Sequence, residues 1–324
     1  MKKMICVMLT LVMALSMLTG CAAKDGGVKK IAIVQQVEHS SLDEICAAIQ
    51  TRLTERIAEA GMTDSVEIQV FNGQGDTAVL GQIGAQAVGD GCDLLIPIAT
   101  TAAQYMVTAA EGKNIPIVYA AISDPETAGL TGLSNVTGVS DALNTPFILD
   151  MMLAVQPDIQ TVGLLYSNSE DNSATPIAQA KEYLDSKGIA YLEKTGTTAD
   201  EVIAAASAMV DRVDAVFTPT DNKIMAAESA VAEILNAAGI PHYTGADSFV
   251  LSGAFATCGV NYTELGYKTA DMAFDILQGG EITPFHVMEG GIITVNTETA
   301  QALALDYAPF AAMANTVKEV VTGE

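Results

Sequence analysis

Short, almost wholly apolar runs alternate along this chain with longer stretches in which apolar residues recur at helical spacing. The first kind reads as buried strands and the second as amphipathic helices. KKIAIVQQ (29–36) and TVGLLYSN (161–168) are β-rich runs, each followed by a polar turn and a helical pattern that ends near glycine, at EAG (59–61) and SKG (186–188). The two halves then repeat. VEIQVFN (66–72) corresponds to IAYLEKT (189–195), CDLLIPIATT (92–101) to VDAVFTPTDN (213–222), and NIPIVYAAISD (114–124) to GIPHYTGADS (239–248). Each copy reads strand, helix, strand, helix, strand, helix, strand. Such alternation implies right-handed βαβ units and a parallel sheet covered on both faces. A chain of about 300 folded residues also exceeds what one hydrophobic core usually serves. The pattern therefore predicts an α/β protein of two similar, doubly wound parallel-sheet lobes.

In open parallel sheets a ligand lies beyond the carboxyl ends of the strands. Those ends fall at 38–41, 100–101 and 123–124 in the first copy, and at 167–173, 220–222 and 245–247 in the second. The candidates for ligand contact are Ser40, Ser41, Thr100, Thr101, Ser123 and Asp124 from one side, and Asn172, Ser173, Thr220, Asp221, Asn222 and Asp247 from the other. These residue types are also the favoured helix N-caps, so capping and ligand contact stand as alternatives at each position. Their recurrence in both copies points to two polar rims facing across a cleft that closes on a small molecule. A free amino acid brings an ammonium and a carboxylate, and a dry cleft must satisfy both. Carboxylates suit the first; hydroxyls and helix N-termini suit the second, since no arginine lies in these loops. Asp221, in TPTDN (218–222), is either a helix cap or the partner of a bound ammonium, with Thr100, Thr101 and Ser123 donating from the facing lobe. Tyr105, Tyr166 and Phe249 are candidates for stacking on an aromatic ligand, with core packing as the alternative.

Residues 1–20 stand apart from this pattern. Met-Lys-Lys precedes an uncharged apolar run over 4–18, which is the form of a secretory signal and shorter than the roughly 20 residues of a spanning helix. LTGC (18–21) resembles the bacterial lipobox, in which cleavage leaves Cys21 as the lipid-bearing N-terminus. Residues 21–27, small and polar, read as a tether. The net charge is −24. Loss of Lys2 and Lys3 with the signal leaves 13 of the 15 basic residues against 39 acidic ones, a net charge of −26. Nucleic acid is a poor partner for such a surface.

With Cys6 lost and Cys21 lipidated, Cys46, Cys92 and Cys258 remain, far apart and odd in number, and the histidines His39, His242 and His286 are scattered. Neither a disulfide framework nor a metal site is expected, and the thiols read as buried and free. There is no G-x-S-x-G, H-E-x-x-H or G-x-x-x-x-G-K-[ST]. GQGDTA (73–78) fits a dinucleotide pattern, but it follows the second strand, and the next strand ends IAT (98–100) without an acid to hold a ribose. No cofactor is expected.

HSSLDEI (39–45), PIATTAAQ (97–104), YAAISDPETAGL (119–130), NVTGVSD (135–141), LLYSNSEDNS (164–173), TPTDN (218–222) and YTELGYKTADMAFDILQGG (262–280) together carry a family resemblance. In these segments the chain resembles the solute-binding lipoproteins of ABC importers, in the family that includes tryptophan-type aromatic amino-acid binders. The resemblance implies the type I periplasmic binding protein fold, with three crossings between lobes near 140–144, 258–262 and 289–293. Lobe one would comprise 28–140 plus 262–289, and lobe two 141–258 plus 293–324. NVTGVSD, ATCGVNY (256–262) and MEGGIITVN (288–296) each combine glycine with extended residues, as hinge strands do. The resemblance further implies no enzymatic activity, an amino-acid ligand, an ABC permease and its ATPase as partners, and a lipid anchor on the extracytoplasmic face. A membrane-tethered sensor that presents its bound solute to a receptor or kinase uses the same fold and cleft, and is the alternative.

Overall fold

A computed structural model describes residues 27–323. The expected signal segment 1–20, the lipidation site Cys21 and the tether as far as residue 26 lie outside the described residues. The first copy runs β1 (Lys29–Gln35), α1 (Ser40–Glu59), β2 (Val66–Asn72), α2 (Thr77–Gly89), β3 (Leu94–Ile98), α3 (Thr100–Ala109), β4 (Ile117–Ala120) and β5 (Val136–Ser140). After α4 (Thr145–Val155), the second runs β6 (Thr161–Tyr166), α5 (Ala174–Lys187), β7 (Ala190–Thr195), α6 (Ala199–Ser207), β8 (Ala215–Thr218), α7 (Asn222–Met225), α8 (Glu228–Ala237), β9 (His242–Thr244), α9 (Asp247–Leu251) and β10 (Ala256–Gly259). The chain ends with α10 (Tyr262–Leu277), β11 (His286–Val287), β12 (Ile292–Asn296), α11 (Thr297–Ala302) and β13 (Thr316–Val320).

Two sheets result. The first has the order β11-β5-β4-β3-β1-β2 and is parallel throughout. Its central strands β3 and β4 are buried at every position, as parallel strands covered on both faces must be. The second has the order β13-β12-β10-β9-β8-β6-β7. It departs from the all-parallel expectation at one place, because β12 runs antiparallel to β10. The connectivity accounts for this: β10 leads the chain out of the second sheet, and β12 brings it back from β11 of the first.

Three segments join the sheets, after β5, after β10 and between β11 and β12. Helix α10 follows the second of them and packs on α1. A Cβ at Gly266 would stand 2.5 Å from Ala48 Cβ and 2.9 Å from Ile45 O, so the close approach requires glycine. Arg52 and Arg56 of α1 pair with Asp271 and Asp275 of α10 at 2.5–2.9 Å. These pairs are partly exposed and worth little individually; the buried face of α10 does most to hold it there. Cys46, Cys92 and Cys258 are buried free thiols.

Candidate functional site

The carboxyl ends of the two sheets face each other, and their loops touch. Gln36 Nε2 donates to Glu170 Oε1 (3.0 Å), Ser41 Oγ to Asp247 Oδ1 (2.9 Å), Gln104 Nε2 to Asp171 Oδ2 (2.7 Å) and Thr175 Oγ1 to Asp124 Oδ2 (2.6 Å). Ser123 and Thr220 share a hydroxyl bond of 2.8 Å, His39 Nε2 lies 3.1 Å from Asn222 Oδ1, and Lys223 Nζ donates to Gly75 O (2.9 Å). The lobes are therefore closed against each other. Between them lies a narrow cavity of about 30 Å³.

Seven of the twelve candidates line this cavity: Ser41, Thr100, Ser123, Asn172, Thr220, Asp221 and Asn222. The other five stand outside it. Ser40 is exposed in the first turn of α1. The Thr101 N–H donates to Gln36 Oε1 (3.0 Å). Asp124 accepts from the backbone of Glu126 and Thr127 and from Thr175, so it ties its own turn to the other lobe. Ser173 Oγ donates to Asp221 Oδ2 (2.6 Å), and Asp247 holds Ser41. Of the three aromatic candidates, Phe249 lines the cavity. Tyr105 packs beside Gly81 and Tyr166 donates to Glu193 (2.8 Å), both elsewhere.

The acids divide by what already engages them. Asp221 is fully buried: Oδ1 accepts from the N–H groups of Lys223 and Ile224 (3.0 Å each), and Oδ2 from the Ser167 N–H and Ser173 Oγ (2.6 Å each). Its four acceptor directions are occupied inside its own lobe, so it caps α7 and fastens the 167–173 loop. Glu170, also buried, accepts from Asn172, from the backbone and side chain of Asn222, and from Gln36 across the cleft. Burial, then the charge of Asp221, raises its pKa.

Asp141 differs. It is 5% exposed, lines the cavity, and has Ser123 Oγ (3.1 Å) as its one side-chain partner among the described residues. Burial pushes its carboxyl up to about 6. A buried carboxylate so poorly partnered is poised to receive a cation. In sequence NVTGVSD has the form of a hinge strand, which hides Asp141; the available signal is an acid closing an otherwise uncharged run at a strand's carboxyl end.

Lobe one contributes donors. Helices α1 and α3 begin at His39 and Ala99 with no side-chain cap. Apart from the Thr101 N–H, which Gln36 Oε1 already holds, their first-turn N–H groups and the positive ends of their dipoles are free for an anion. Ala99 (φ 76°, ψ 161°) and Ala121 (φ 56°) hold left-handed backbone conformations that disfavour any residue but glycine, and both line the cavity. Such strain costs on the order of 1–3 kcal/mol per residue and concentrates at ligand sites. His39 Nδ1, Asn172 Oδ1 and Ser248 Oγ are buried without partners, and all three residues line the same cavity. Burial lowers the pKa of His39, so its ring is neutral there. Orphaned buried polar atoms are costly, and three on one cavity make it a candidate place for a polar solute.

A family model described as ABC transporter substrate binding protein matches residues 30–313. The chain is 32% identical over 322 residues to a tyrosine-binding protein of Clostridioides difficile (strain R20291), covering 93% of this chain and 92% of that one. A solved ABC domain from Streptococcus pneumonia in complex with L-Trp is 32% identical, with TM-score 0.83, 89% of this chain covered and 99% of that one. The ligand-free, open structure of a substrate binding protein with adhesive properties from Clostridium difficile is also 32% identical, with TM-score 0.67, 91% of this chain covered and 100% of that one. The two lobes with three joining segments are the type I periplasmic binding protein fold. By a family match across nearly all the described residues, over a closed cleft built to hold a small solute, the chain belongs to the ABC transporter substrate-binding protein family.

Proposed function

We propose that this protein captures an amino acid with an aromatic side chain in the interlobe cavity and delivers it to an ABC permease and its ATPase. The observation that carries the reading is the composition of the cavity wall. One poorly partnered acid, Asp141, suits an α-ammonium; the uncapped N-termini of α1 and α3 suit an α-carboxylate; Phe249 and Met225 offer apolar surface to a side chain. The named ligands of the relatives, tyrosine and L-Trp, have these three parts. The three joining segments act as hinges. The greater likeness to the L-Trp complex than to the ligand-free open structure, at equal identity, fits a closed, ligand-binding form of a two-lobed clamp. Lipid on Cys21 would hold the protein at the extracytoplasmic face, and Cys21→Ala should release it from membranes.

The test is calorimetric titration of the purified protein with each amino acid. Tyrosine or tryptophan should bind most tightly and raise the melting temperature by mass action. Absence of binding by all aromatic amino acids would overturn the reading.

A further inference from the structure

We infer a second small-molecule site at the back of the hinge, which takes an amphipathic amine and weakens solute binding in the cavity. The proposal rests on the reading of Asp141 as the ammonium anchor. A crevice of about 490 Å³ lies where backbone from all three joining segments runs side by side. Asp141 is the one acid in its wall and no basic residue lines it; Leu143, Phe147, Val260 and Met313 provide apolar surface. Asp141 and Tyr262 line both the crevice and the cavity. Tyr262 is 5% exposed, and its hydroxyl makes no hydrogen bond among the described residues. A buried carboxylate and an unengaged phenol beside apolar side chains match an ammonium with a short hydrocarbon tail.

The sign of the coupling follows from the shared carboxylate. Two ammonium groups drawn to Asp141 from opposite spaces repel each other, so occupation of one space weakens the other. The crevice also touches every segment about which the lobes would turn, so a molecule seated there fits open and closed forms unequally and biases the equilibrium. Coupling of this kind is reciprocal and finite, typically fivefold or more.

The experiment titrates the protein with L-tryptophan by calorimetry at increasing n-hexylamine, with n-hexanol as the uncharged control. The amine should bind directly and raise the apparent Kd for tryptophan by about fivefold or more to a plateau, whereas the alcohol should not. Ala312→Trp places a large side chain in the crevice at an exposed position away from the cavity. It should abolish the amine effect and leave tryptophan affinity unchanged. Failure of the amine to bind, a Kd that rises without limit as in displacement from the cavity, or an amine effect that persists in Ala312→Trp would overturn the proposal. Direct amine binding to wild type and to Ala312→Trp is read even if no amino acid binds, so failure of this site and failure of the solute reading are separable.

Discussion

Asp141 and Asp221 are both buried aspartates on one cavity, and their partners assign them opposite work. Asp221 serves the fold. Converting it to Asn puts an amide N–H₂ against donors, so Asp221→Asn should lower the apo melting temperature by an amount equivalent to about 1–3 kcal/mol, read by thermal denaturation. In the proposed function Asp141 serves the ligand. A charge-assisted bond is worth roughly 1.5–3 kcal/mol, so Asp141→Asn should weaken aromatic amino-acid binding about ten- to a hundredfold without loss of apo stability. The pH dependence separates the two further. Asp141's carboxyl is raised to about 6, so its contribution to stability is fully present below the ordinary carboxylate range and is lost as pH rises through 6. Ligand affinity runs the other way, because an ammonium needs the ionised form. It should fall up to about tenfold per pH unit below 6, and the difference between wild type and Asp141→Asn should narrow there by the same factor. Titration calorimetry from pH 5 to 8 on both proteins checks this. The strand-end loops that supply the cavity were legible from sequence, because polar residues interrupt apolar runs there. Which of their side chains cap helices was not, since Asp, Asn, Ser and Thr serve both purposes and only the directions of neighbouring N–H groups decide.

Among the elements, the repeat of strands and helices was legible almost to the residue: VEIQVFN spans β2 as read, and KKIAIVQ spans β1. The reversal of β12 was not, because burial alternation carries no strand direction. Nor could local pattern join α10 to α1, which lie more than 200 residues apart in sequence and meet through Gly266. Gly→Ala inside a helix ordinarily stabilises by about 1 kcal/mol. Here the added methyl meets Ala48 and the Ile45 carbonyl, so Gly266→Ala should instead destabilise by about 1–3 kcal/mol in denaturant melts. A stabilised variant would show that the two helices separate at no cost.

At the scale of the whole molecule, the contacts that close the lobes share a chemistry. Glu170, Asp171, Asp247 and Asp124 each receive a neutral donor from the facing lobe, and among these contacts Lys223 alone donates a charged group, to a backbone carbonyl. So acidic a protein brings its lobes together through hydroxyl and amide donors rather than ion pairs, which are weakened by salt. If closure is what completes the site, a bond made only in the closed form should tune affinity without touching the ligand. The Gln104–Asp171 bond is suited to the test: Asp171 is exposed, it does not line the cavity, and its partner belongs to the other lobe. Asp171→Ala should leave the melting temperature of the apo protein unchanged. Its apparent Kd for the amino acid should rise about two- to tenfold, because a smaller closed fraction taxes binding in proportion. Small-angle scattering should show a larger radius of gyration without ligand than with it, in both proteins, and convergence of the two at saturation. An unchanged radius on adding saturating ligand to wild type would mean that the lobes do not move, and that the closed form is the only form.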